Sequence, residues 1–241
     1  MKIMCKCIMT CMLTAAAVLT IGAAEAPQPP VVTPGENGAP PSDAVVLFDG
    51  KDLSHWVHKD GRPAKWTLKN GEMVCNTGAG DIHSREKIGS AQIHVEFATP
   101  YMPNQHDQAR GNSGVYLQSR YEIQVLDSYQ NPTYPNGSAA ALYGQHAPLV
   151  NVSRPPEKWQ SYDIVFHAPQ CARGEVVQPG TLTLIHNGVL VQDHAAIFGP
   201  TSGGAKDDVC TPGPLLLQDH FHPEAKTTPM KFRNIWYRSL D

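Results

Sequence analysis

Charge is scarce in this sequence. Asp, Glu, Lys and Arg make up 17% of its 241 residues, and 19 basic against 22 acidic side chains leave a net charge of −3. With no basic stripe, nucleic acid drops out as a partner. After the first two dozen residues there is also no apolar run long enough to span a bilayer. Amphipathic helical periodicity is missing too: apolar residues tend to alternate, and 21 Pro plus 20 Gly interrupt the chain too often for long helices. The apolar fraction of 41% still suffices for the core of one self-sufficient domain.

The one long apolar run stands at the start. Lys2 and Lys6, the stretch from Ile8 to Ile21, and Gly22-Ala23-Ala24 form the charged, apolar and small-residue parts of an export signal. Residues 1–24 are therefore expected to be a signal peptide, 25–43 a Pro-rich extended linker without chemistry, and 44–241 a single domain in a secreted or periplasmic protein. A retained signal anchor is the alternative. Cys5, Cys7 and Cys11 lack the small-residue context of a lipid-attachment site, so a lipid anchor is not expected. Of the other cysteines, Cys75 alternates with Met73 as a strand residue and is expected to be a buried thiol. Cys171 and Cys210 sit in Pro/Gly-rich loops, and a disulfide between them is expected in an oxidising compartment, against two unrelated loop thiols.

From Val45 onward, short alternating runs are separated by turn residues. Asn70-Gly71 and Asn187-Gly188 mark two hairpins. Trp56 reads as core. In Ile93-His94-Val95-Glu96-Phe97 the apolar residues face one way, leaving His94 and Glu96 on the wet side. About a dozen such strands make the chain all-β, a two-sheet jelly-roll sandwich.

The polar residues concentrate in Gly111-Asn112-Ser113-Gly114-Val115-Tyr116-Leu117 and Tyr121-Glu122-Ile123-Gln124-Val125-Leu126-Asp127, two strands with Gln118, Ser119 and Arg120 between them. They read as the floor of a polar cleft. Residues 122 and 124 share a face of a regular strand, whereas 127 points the other way unless a bulge intervenes. The long loop from Gln130 to Leu149, with Tyr143, and the run Gln218-Asp219-His220-Phe221-His222 are the other candidates to border the cleft. Two histidines and an aspartate in that run would suit a divalent cation, although nothing in the spacing requires one. No other cofactor is implied.

Leu47-Phe48-Asp49-Gly50-Lys51-Asp52-Leu53, Gly111-Asn112-Ser113-Gly114, Tyr121 to Asp127, Gln218-Asp219-His220 and Phe232-Arg233-Asn234-Ile235, in this order, resemble the 3-keto-disaccharide hydrolase domain family. The resemblance runs from about residue 44 to 240. It implies a concanavalin-like jelly roll and action on carbohydrates whose C3 is oxidised to a ketone, cleaved by elimination and hydration. Such chemistry needs a base for the C2 proton, a donor to the enolate oxygen and an acid for the departing oxygen. Glu122 or Asp127 can serve as base, His220 as proton donor or acceptor, and Arg233 or Asn112 as oxyanion stabiliser. Asn112, Ser113, Gln124, Tyr143, Gln218 and Asp219 are the expected substrate-binding residues. Bringing Asp127 beside Glu122 requires a bulge after Gln124. A laminarinase-type hydrolase of unoxidised glucans uses acidic residues at the same spacing, but Gln124 cannot ionise and Asp127 is one methylene shorter than Glu. A non-catalytic, lectin-like carbohydrate-binding module is the remaining alternative.

Overall fold

The computed structural model describes residues 28–220 and 229–241. The export signal expected at 1–24, and with it Phe221 and His222, lie outside them. Chain order gives β1 (Val45–Phe48), β2 (Trp56–Val57), β3 (Thr67–Lys69), β4 (Glu72–Val74), β5 (Ile82–Ile88), β6 (Ala91–Ala98), β7 (Ser113–Leu117) and β8 (Tyr121–Val125). Then come β9 (Gln160–His167), β10 (Gln170–Ala172), β11 (Glu175–Gln178), β12 (Gly180–His186), β13 (Val189–Ile197), β14 (Gly213–Leu217) and β15 (Lys231–Ser239). Two short 3-10 turns, Asp107–Ala109 and Pro135–Gly137, are the helical elements among the described residues.

One sheet has eight strands in the order β13-β12-β9-β6-β15-β4-β3, with β1 also on β15. The other has five, β2-β5-β14-β7-β8. This is the jelly-roll sandwich that the alternation implies. Val115, Leu117, Tyr121, Ile123, Val125, Leu215 and Leu217 from the small sheet meet Ile93, Val95, Phe97, Tyr162, Ile164, Phe166 and Phe232 from the large one. Period two sends the intervening residues outward. Asn70-Gly71 and Asn187-Gly188 form the β3–β4 and β12–β13 turns, all four residues at positive φ as a two-residue hairpin requires.

Three features differ from the sequence reading. Residues 33–42 are not an extended linker: Thr33 and Ser42 are joined by mutual hydrogen bonds, and the Gly38 carbonyl accepts from Asn234 Nδ2 and Trp236 Nε1 on β15. Polar side chains on the large sheet give this Pro/Gly segment partners that its composition does not announce. His94, placed on a wet face, is nearly fully buried and stacks on Trp236; Asp163 and Glu96 hold its imidazole up at about 9, against a burial penalty that alone would lower it. Last, β8 pairs with β7 in unbroken register from Tyr121 to Val125, so no bulge lies within β8.

Cys171 and Cys210 are bonded, joining the β10–β11 hairpin to the Gly-rich loop before β14, while Cys75 is a buried free thiol.

Candidate active site

The β7–β8 hairpin turns at Gln118 and Ser119, both at positive φ, with Arg120 N–H donating to Leu117 C=O. This register sets Tyr116 opposite Glu122 and Gly114 opposite Gln124, all four on the outer face of the small sheet. The far edge of β8 is covered by the segment around Ala140–Tyr143, whose small residues let its backbone hydrogen-bond to Gln124 and Glu122. Above the hairpin lies the loop from 200 to 212, where Thr201 Oγ1 accepts from Glu122 N–H and Ser119 C=O accepts from Ala205 N–H.

These elements enclose a polar pocket of about 180 Å³ lined by Asn112, Tyr116, Glu122, Gln124, Tyr143, Ser202, Gly203, Gln218 and His220. Glu122 is buried at its floor. Loss of water raises its pKa to about 7, partly opposed by the hydrogen bond from Tyr116 and reinforced by the negative charge of Asp81. Burial and the adjacent Glu122 push the Tyr116 phenol upward, so it stays protonated. Gln218 Nε2 donates to Tyr116 Oη at 3.1 Å, and Gln124 Nε2 donates to Gln108 Oε1 at 3.0 Å. The carbonyl oxygens of both glutamine side chains, Gln124 Oε1 and Gln218 Oε1, are buried without a hydrogen-bond partner among the described residues. Buried acceptors in that state are uncommon, and sugar hydroxyls are donors that would satisfy them. Tyr143 Oη meets Tyr134 Oη at 2.5 Å on the pocket rim.

Of the residues picked out from sequence, Glu122, Asn112, Gln124, Tyr143, Gln218 and His220 share this pocket, and four do not. Asp127 follows the end of β8 and faces a separate cleft, where its carboxylate pairs with Arg110 at 3.0 Å and caps Tyr129 N–H. Without a bulge in β8, nothing turns it toward Glu122. Arg233 is on β15 of the other sheet, its Nε 2.6 Å from Glu96 and its guanidinium 4.1 Å over the Trp159 ring. Ser113 is fully buried and donates to Gln218 C=O. Asp219 accepts from Gly78 N–H and Gly80 N–H, clamping the loop after β4. Among the described residues, no three His, Cys, Asp or Glu side chains gather into a cation site.

Tyr116, Ser202 and Gly203 were not singled out from the sequence. Placing the turn at Gln118-Ser119 would have revealed Tyr116, since the register then sets it opposite Glu122. Nothing local marks Ser202 and Gly203.

Gly114 makes the floor possible. A Cβ there would lie 2.6 Å from the Tyr116 ring and 2.7 Å from Glu122 Oε1. Gly114→Ala should therefore displace the carboxylate and lower kcat/KM by about a hundredfold, with a stability loss of about 1–3 kcal/mol; kinetics and thermal melts on one preparation check both.

The family model for the 3-keto-alpha-glucoside-1,2-lyase-like domain matches residues 43–238. The chain belongs to this family. A solved structure from Parabacteroides distasonis ATCC 8503, named a "putative glycosyl hydrolase", is 40% identical with a TM-score of 0.81, over 95% of this chain and 100% of that one. Two further structures with the same name and source, at 19% and 20% identity and TM-scores of 0.61 and 0.55, share the fold; they cover 83% and 82% of this chain and 94% and 99% of their own. A search of curated proteins returned no match. In this 3-keto-alpha-glucoside-1,2-lyase-like domain, the pocket on the small sheet is the candidate active site.

Proposed function

We propose that this chain is an exported enzyme that cleaves 3-keto-glycosides by C2 proton abstraction, elimination and hydration. One observation carries the reading: Glu122 is the single carboxyl group on the pocket wall among the described residues, and its pKa is raised to about 7. A retaining or inverting glycosidase needs two carboxyl groups across the scissile bond. Elimination needs one base, because a ketone at C3 acidifies the C2 hydrogen, and a base that titrates near the working pH suits that task.

Glu122 takes the C2 proton, and the electron pair moves into the C3 carbonyl as an enolate. Collapse of the enolate forms the C1–C2 double bond and breaks the bond from C1 to the glycosidic oxygen. That oxygen leaves with a proton from His220 at the pocket mouth or from Glu122 itself. Water then adds across the double bond, its proton going to C2 and its hydroxyl to C1. Asn112 takes the oxyanion-stabilising role that the position of Arg233 denies it. Gln124 and Gln218 bind sugar hydroxyls through their unsatisfied oxygens, and Tyr116 orients the Glu122 carboxylate. Export is proposed from the N-terminal signal, and the Cys171–Cys210 bond supports it, since such bonds persist in oxidising compartments.

Incubation with a 3-keto-glucoside and its unoxidised counterpart in deuterated water tests the reading. Cleavage of the keto compound with deuterium entering at C2 is the expected result. Failure to turn it over, with or without added divalent ions, would overturn the proposal, as would release of reducing ends from the unoxidised glycoside.

A further inference from the structure

The outer face of the small sheet carries a second cleft. Cross-strand pairing runs in one row from Val57 on β2 to His83 on β5, Leu216 on β14, Tyr116 on β7 and Glu122 on β8. His83 therefore stands three strand spacings from Glu122, about 14 Å away along the same face. Around it opens a cleft of about 410 Å³ with Lys59, Arg85 and Lys87 on its walls and Val57 and Pro214 among its apolar lining. The loop after residue 200 borders both openings, with Ser202 and Gly203 at the Glu122 pocket and Ala205 and Asp207 at this cleft.

The charge here is one-sided. Asp207, the cleft's carboxylate among the described residues, is bonded to Arg120 Nε at 2.6 Å. Arg85 is held through Nε donation to Ser54 C=O, a contact that leaves its charge uncompensated. The side chain of Lys87 forms no hydrogen bond or ion pair among the described residues, and Lys59 makes no direct bond either, though its charge is felt at Asp207, which Arg120 already holds. Three cations thus face one cleft in a chain of net charge −3.

The backbone is shaped to gather them. In β5 the register against β14 shifts so that Ser84, Arg85 and Glu86 stand opposite Leu215, and Lys87 pairs with Pro214 where an unbroken ladder would put Arg85. Ser84 Oγ fixes this bulge by donating to Glu86 C=O and accepting from Leu215 N–H. Bulges of this kind re-aim side chains next to functional sites.

We infer that this cleft is an anion subsite of the same substrate-binding face, so that the preferred glycoside carries a carboxylate or sulfate on a sugar remote from the cleaved bond. The inference rests on the reading that the Glu122 pocket cleaves glycosides. A guanidinium and two ammonium groups beside apolar lining suit an anionic sugar: the fork of Arg85 matches a planar carboxylate or a sulfate edge, and the sugar face packs on Val57 and Pro214. The aromatic ring and paired amides of the Glu122 pocket, by contrast, suit an uncharged ring.

Calorimetric titration with a neutral trisaccharide, the same trisaccharide ending in a uronate, and sodium sulfate alone tests this on the full chain and on a Lys59→Ala/Lys87→Ala variant, whose changes are on exposed side chains. The uronate trisaccharide should bind about tenfold tighter than the neutral one at low salt and lose that advantage in the variant and at high salt. Equal affinity for the two sugars, or an advantage that survives in the variant, overturns the subsite. So does sulfate binding as tightly as the acidic sugar, which would mark a site for free inorganic anions. Because binding is read without turnover, the two ideas fail separately. Equal kcat/KM on neutral and acidic 3-keto-glycosides would remove the subsite and leave the cleavage reading standing.

Discussion

Glu122→Gln should lower kcat/KM on a 3-keto-glycoside by on the order of a thousandfold, since the amide keeps the shape of the side chain but cannot accept the C2 proton. In the wild-type protein kcat/KM should rise with pH through about 7, the value at which the buried carboxyl becomes a carboxylate. The same burial makes an independent stability prediction. A carboxyl raised from an ordinary 4.5 to about 7 binds its proton more tightly folded than unfolded, so the folded state loses stability as pH rises between those values. The shift corresponds to about 3 kcal/mol. Glu122→Gln should lack this loss and unfold at higher denaturant than wild type at pH 8, while the two converge below pH 4.5. An inactive variant that melts with the wild-type pH dependence would show that the carboxyl is not buried as described.

Alternation was enough to read the sandwich, because each strand has one face on the core and period two encodes that directly. It also placed Glu122 and Gln124 together, and the hairpin between β7 and β8 adds Tyr116 once its turn is located. The reading of Asp127 failed where the strand ends: beyond Val125 the period no longer applies, and Arg110 provides a local partner that spacing cannot reveal. Arg233 failed for a different reason. Period two gives the side of a strand but not the sheet, and β15 pairs with β6 on the far side of the core. His94 and Glu96 do point outward, yet the segment around Gly38 packs over this face, so outward there does not mean solvated. Ser202 and Gly203 come from a loop whose course depends on a buried arginine about eighty residues earlier in the chain.

That arginine, Arg120, anchors the loop to the hairpin. It is 1% exposed, and its Nε contacts Asp207 at 2.6 Å while Nη1 donates to Gln118 Oε1 and Thr211 C=O. Its own carbonyl accepts from Thr201 N–H and Oγ1. One residue therefore ties both ends of the loop to the β7–β8 turn. Arg120→Met keeps the length of the stem but leaves the buried Gln118 Oε1 without its donor and takes a second donor from Thr211 C=O, and a loss of about 2 kcal/mol is expected by chemical denaturation. Asp207→Ala should cost far less, because that carboxylate is 63% exposed and the guanidinium keeps its other partners. Activity should follow the loop more than the ion pair. Arg120→Met keeps the backbone carbonyl that holds Thr201 but removes the side-chain anchors at Asp207 and Thr211; the stretch from Asp207 to Thr211 then no longer braces Ser202 and Gly203 against the pocket, and KM should rise at temperatures where the variant is still folded. The Cys171–Cys210 bond keeps the far end of the loop attached, so the defect should deepen when Arg120→Met is combined with Cys171→Ser and Cys210→Ser. If Arg120→Met loses stability but keeps the wild-type KM in the folded range, Arg120 stabilises the domain without shaping the pocket.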